Sequence, residues 1–211
     1  MGKLLANGCS HMQGSECDTN VAELFAEHLN LECVNIAHPG GGNHRILRST
    51  IDYIEGLEHS SLYPDFILIG WTTHERFEIS FDNNREDYTL DKQSENRDLQ
   101  KFYRYADLHL ADWEIGRENT VLYMYLLQVY LNSKNINYMY VNMFNNIPKG
   151  HQSAIWNNID QNKYCLHESS LIESAMDTFP NGWSDTLHAV DPKIHQWMYN
   201  KIITFYKEQY V

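Results

Sequence analysis

The chain has 211 residues, 43% of them hydrophobic, which supplies enough apolar material for one domain with a proper core and excludes wholesale disorder. Lys and Arg number 16 against 28 Asp and Glu, a formal net charge of -12. Nucleic-acid and anionic-membrane surfaces need basic patches, so this balance argues against both and names no partner of its own. Composition is silent on oligomeric state.

Lys3 to Asn7 reads as a short buried strand that stops at Gly8. From Asn20 to Leu31 the apolar positions Val21, Leu24, Phe25, Ala26 and Leu29 follow helical spacing, and Asn20 with Glu23 forms a capping box. Cys33 to Ala37 is a second strand, ended by HPGGG. Asn43 to Leu57 returns to the helical period through Ile46, Leu47, Ile51, Ile54 and Leu57. Phe66 to Ile69 is an unbroken apolar run of the kind that suits a strand covered on both faces. Strand and helix in alternation define an α/β fold with a central parallel sheet.

Residues 1–211 read as a single domain with an excursion around 72–118. Thr72 to Glu95 is polar and carries a predicted hairpin, FEISF then DYTL. Leu99 to Trp113 and Glu118 to Leu131 are predicted as two helices, and Asn137 to Phe144 as a fourth strand. Ile147 to Ser184 is irregular apart from a helix around Ser169 to Ala175. In the last helix Asp191 is the N-cap, Pro192 takes the first helical position, and Ile194, Trp197, Met198, Ile202 and Phe205 form the buried stripe.

Sites in parallel sheets gather beyond the carboxyl ends of the strands. Three Gly-rich polar loops leave such ends here: GCSHMQG, HPGGGNHR and GWTTHERFE. In the first, Ser10 is flanked by Cys9 and His11, so the loop holds two candidate nucleophiles. A serine hydroxyl needs a base to take its proton and a third group to orient that base. DTLH, immediately before the last helix, offers both in Asp185 and His188. The middle side chain of such a turn normally points elsewhere, which leaves Cys9 the weaker candidate. The four cysteines (Cys9, Cys17, Cys33, Cys165) lack paired metal spacing, and the 11 histidines include no HxH or HxxxH pair with a carboxylate partner. No metal is therefore expected. GGGN lacks the spacing of a dinucleotide fingerprint. Glu75 and Arg76 fit a structural ion pair better than a substrate contact, and core packing accounts for Trp71 and Trp183 as well as sugar stacking does.

The blocks GCS, NIAHPGGG, GWTT and DTLH together resemble the SGNH hydrolases, also called GDSL esterases, in the family's order and over nearly the whole chain. The resemblance implies a three-layer α/β/α sandwich, flavodoxin-like, with no cofactor. It implies a serine esterase or acetylesterase with Ser10 as nucleophile, His188 as general base and Asp185 as its orienting partner. The substrate it implies is a small ester or an O-acylated carbohydrate. Oxyanion donors would be the Ser10 N–H and that of a glycine in the second loop, Gly40 by spacing from Asn35, with Gly41 next. Each such donor is worth about 3 kcal/mol of transition-state stabilisation.

The departures matter as much. Cys9 replaces the usual Asp, and Ala189 replaces the Pro that commonly follows the catalytic His. Thr72 and Thr73 stand where the family places Asn and Asp, so the missing amide donor would come from Thr72 or from Asn43 in the second loop. GCSH, GGGN and GWTxxER are similar to a divergent, virus-associated branch. The rival expectation is a binding protein, for carbohydrate or within a virion, that kept the fold and lost efficient catalysis. With no export signal or membrane-spanning run, the expected location is the cytoplasm, with free thiols.

Overall fold

The computed structural model describes residues 1–81, 84–88, 97–109, 113–144, 153–166 and 169–211. The apolar runs become strands β1 (Lys3–Asn7), β2 (Glu32–Asn35), β3 (Phe66–Trp71) and β6 (Asn137–Asn142). A two-residue strand, β7 (Tyr164–Cys165), joins them and pairs with Tyr140 and Val141. It is too short to leave a periodic signature. The sheet order is β2-β1-β3-β6-β7 with every neighbour parallel. That order places the reversal of strand sequence at β1 and β3, where ligands bind in open α/β sheets.

Alternation along the strands explains how each buries both faces. Leu4, Ala6, Phe66, Leu68, Met139 and Val141 share one core with α2 (Val21–His28), α6 (Leu171–Thr178) and α7 (Pro192–Tyr210). Leu5, Ile67, Ile69, Trp71, Tyr138 and Tyr140 share the other with α3 (Asn43–Glu55) and α5 (Trp113–Ser133). Residues i and i+2 on a strand face the same way, so one apolar run feeds two helical layers. The expected three-layer α/β/α sandwich is what the chain forms.

Helix ends follow the local chemistry. Asn20 caps α2 by accepting the Glu23 N–H (2.9 Å), Ser170 caps α6 through Glu173 N–H (3.1 Å), and Asp191 caps α7 through Lys193 N–H (2.9 Å). The excursion holds the antiparallel hairpin β4 (Phe77–Phe81) and β5 (Asn84–Tyr88), so the second arm starts before the predicted DYTL, whose last two residues lie outside the described ones. α1 (Ser10–Gln13) opens the first loop, and α4 is Arg97–His109. Trp113 begins a helix instead of ending one. α5 runs on through Gly116, where a Cβ would come within 2.9 Å of the His74 carbonyl; glycine lets the helix lie against that loop. Among the described residues no helix is long and apolar enough to cross a membrane.

Candidate active site

The first loop places Ser10 just beyond the end of β1. Asn7 accepts the Gly8 N–H (2.8 Å) and donates its amide to Ile46 O, Ser49 Oγ and Thr50 Oγ1, tying the strand end to α3. A Cβ at Gly8 would lie 2.8 Å from Met12 Cβ and 3.0 Å from the Gly70 carbonyl, so only glycine lets the chain turn this tightly over β3. Cys9 is buried, and its carbonyl accepts the N–H groups of Met12 and Gln13 (3.0 Å each), which starts α1. Ser10 is the first residue of that helix, 4% exposed, with its N–H among the donors that no preceding turn can satisfy. Gly14 ends α1 in the left-handed region (φ 82°).

The second loop docks on the first through His38 N–H to Gly8 O (3.1 Å) and Asn35 Nδ2 to Met12 O (2.9 Å). His38 to Gly41 is a turn closed by Gly41 N–H to His38 O (3.0 Å), with Pro39 and Gly40 in the centre and Gly40 at φ 74°. The Gly41 N–H is therefore spent inside the turn. Among the described residues the Gly40 N–H donates no such bond.

Asn43, a candidate donor in the second loop, is tied to the third loop. Its side chain accepts Thr72 N–H (2.9 Å) and donates to Thr72 O (2.9 Å) and Thr120 Oγ1 (3.0 Å). Both amide hydrogens are committed to pinning β3 to α3 and α5, so Asn43 has none to offer a substrate. Thr72 is 0% exposed, and its hydroxyl accepts from Arg76 Nη1 (3.0 Å).

His188 sits on a closed loop: Ser184 N–H bonds His188 O (2.9 Å), Leu187 N–H bonds Ser184 O (2.9 Å), and Trp183 bridges Ala189. This closure leaves Asp185 exposed, with no hydrogen bond to His188. The carboxylate that meets the ring is Glu16, whose Oε1 lies 3.0 Å from His188 Nδ1, with Thr186 Oγ1 at 2.7 Å from the same oxygen. Glu16 holds a left-handed backbone (φ 64°), uncommon for a residue with a Cβ, as does Leu187 (φ 59°) on the opposing loop. Hydrogen bonds from Ser184, Thr186 and His188 hold the Glu16 carboxyl down to about 2, so it is ionised beside the imidazole.

The His188 ring lies 5.6 Å from that of His11, the residue after Ser10, which also meets Phe144 (5.5 Å) and Trp183 (6.0 Å) edge to face. Among the described residues no hydrogen bond joins the Ser10 hydroxyl to His188. Burial, with help from His188, Arg76 and His195, pushes His11 down to about 3. Burial also lowers His195, which is 1% exposed. Both are neutral in the folded chain and protonate once unfolded, so the unfolded state binds more protons below their ordinary value of 6.5. Stability is expected to fall as pH drops from 6.5 toward 3, a loss that a thermal-melt series against pH should show and that His11→Gln should flatten. Among the described residues no group of three His, Cys, Asp or Glu side chains is placed to hold a metal ion.

This arrangement belongs to a known fold. The chain superposes on the esterase EstA from Pseudoalteromonas sp. with TM-score 0.55 and 11% identity, covering 99% of this chain and 98% of that one. It matches a lipolytic protein of the G-D-S-L family from Desulfitobacterium hafniense at TM-score 0.51 and 10% identity, over 97% and 99% of the two chains. The acetyl xylan esterase AlAXEase gives TM-score 0.52 and 11% identity over 96% and 98%. The fold is that of the SGNH/GDSL hydrolases. In sequence the chain belongs to DUF6071, a family of unknown function, which it matches over residues 14–182. That span contains Glu16 and Arg76 and stops short of both Ser10 and His188. No curated protein matches it.

Proposed function

We propose that the chain is a serine ester hydrolase in which Ser10, His188 and Glu16 act together on a small ester or an O-acylated carbohydrate. The observation that carries this is the contact of His188 Nδ1 with an ionised Glu16 (3.0 Å), on a ring packed beside the helix that Ser10 begins. With Nδ1–H donated to the carboxylate, Nε2 is the basic nitrogen. Ser10 Oγ attacks the ester carbonyl while His188 Nε2 takes its proton. The oxyanion that forms is met by the N–H groups of Ser10 and Gly40. Collapse expels the alcohol, which receives the proton back from His188, and leaves an acyl group on Ser10. Water, deprotonated by the same imidazole, then releases the acid and restores the serine. Every proton in this cycle is carried by side chains of the chain itself.

Two observations favour a second reading, a binding protein with weakened catalysis: Asn43 has no amide hydrogen left to replace the third-block donor, and Ser10 and His188 are not hydrogen-bonded. Hydrolysis separates the two. The purified chain should release p-nitrophenol from p-nitrophenyl acetate at a rate set by enzyme concentration. Inactivity across short acyl esters would overturn the hydrolase and leave the binding protein.

A further inference from the structure

We propose that Arg76 determines the specificity of this site by binding a carboxylate carried on the ester substrate. The inference rests on the reading of Ser10 and His188 as the reacting pair. Arg76 follows β3, and its guanidinium is fixed from two sides. Nη1 donates to Thr72 Oγ1 (3.0 Å), and the guanidinium carbon lies 5.5 Å from the centre of the Phe144 ring. Phe144 in turn meets His11, one residue from Ser10, at 5.5 Å. The cation therefore stands one aromatic ring from the nucleophile's own helix, and its field reaches His11 as a contribution behind burial and His188.

What this cation lacks is an acid. Among the described residues no carboxylate pairs with Arg76, in a chain with 28 acidic residues against 16 basic ones. Its neighbour Glu75 faces His74 (3.7 Å) instead. Arg48 shows the usual outcome on the same fold: it binds Glu78 through two nitrogens (2.6 and 3.1 Å) and Asp52 through a third contact at 2.9 Å. The sequence expectation of a structural ion pair at Glu75 and Arg76 is thus not met. A guanidinium has five N–H donors, and Thr72 takes one. Seating over a ring fixes its plane, and a planar fork with donors to spare matches a carboxylate in two parallel hydrogen bonds. Thr72 is fully buried and presents no surface to a substrate, whereas Arg76, in the same loop, is only partly buried.

The test compares the mono-p-nitrophenyl ester of adipic acid with p-nitrophenyl hexanoate. The wild type should prefer the anionic ester in kcat/KM, and Arg76→Gln should lower the anionic-to-neutral ratio about tenfold or more, the scale of a charge-assisted hydrogen bond. Arg76→Lys, which keeps the charge and loses the fork, should retain part of the preference. An unchanged ratio in Arg76→Gln, or a wild type that prefers the neutral ester, overturns the proposal. A second arm titrates monomethyl adipate into the Ser10→Ala protein and into Ser10→Ala with Arg76→Gln, following tryptophan fluorescence. About tenfold weaker binding in the double variant supports the proposal, and equal or absent binding in both overturns it. Absence of turnover with both esters would count against the hydrolase alone, because the binding arm stands without it.

Discussion

Replacing Ser10 by Ala is expected to lower kcat/KM for p-nitrophenyl acetate by roughly a thousandfold or more, to the level of the buffer reaction. The alanine keeps the helix start, because Cys9 O, not the serine hydroxyl, accepts the first N–H groups of α1. The loss would therefore report the missing nucleophile, and an unchanged far-UV spectrum and melting curve would confirm that the fold is intact. Cys9→Ser is the companion variant. Cys9 is buried and its side chain caps nothing, so hydrolysis should persist in it. Loss in Cys9→Ser with retention in Ser10→Ala would move the nucleophile one residue back.

Glu16→Gln should cost about tenfold or more in kcat, while Asp185→Asn should leave it within about a factor of two. The amide keeps the size of the carboxylate and removes the charge that stabilises His188 as it gains the proton. Glu16 is solvent-exposed, so water screens part of the effect and the loss is smaller than for a fully enclosed carboxylate. Asp185 is exposed, and among the described residues no hydrogen bond joins it to the ring. A reversed ranking, with Asp185→Asn the damaging change, would restore the D-x-x-H pair read from the sequence.

Most of the frame was legible in the sequence, because parallel strands covered on both faces must be apolar throughout and helices on their flanks must show one stripe. Phe66 to Ile69 and the stripe from Ile194 to Phe205 are of this kind. β7 was not legible: two residues supply no period, and their pairing depends on β6 being in place. Ser10 and His188 were legible as candidates, since each sits at a recognisable boundary, a strand end and the approach to a capped helix. Glu16 was not. Its position follows from the left-handed turn after Gly14 and from a partner 172 residues away, neither of which one local motif encodes. Asp185 was favoured by proximity in sequence, and the backbone closure between Ser184 and His188 turned it outward. For Asn43 the residue type suggested a donor, but type does not reveal which partners already hold its hydrogens.

The central claim is that Ser10 is an activated nucleophile, and covalent labelling tests it most directly. Incubation with a fluorophosphonate should add one adduct per chain, located by peptide mass spectrometry on the segment containing Ser10, and His188→Ala should slow its formation severalfold or more. An adduct on a different residue, or none under conditions that label a control serine esterase to completion, would contradict the account.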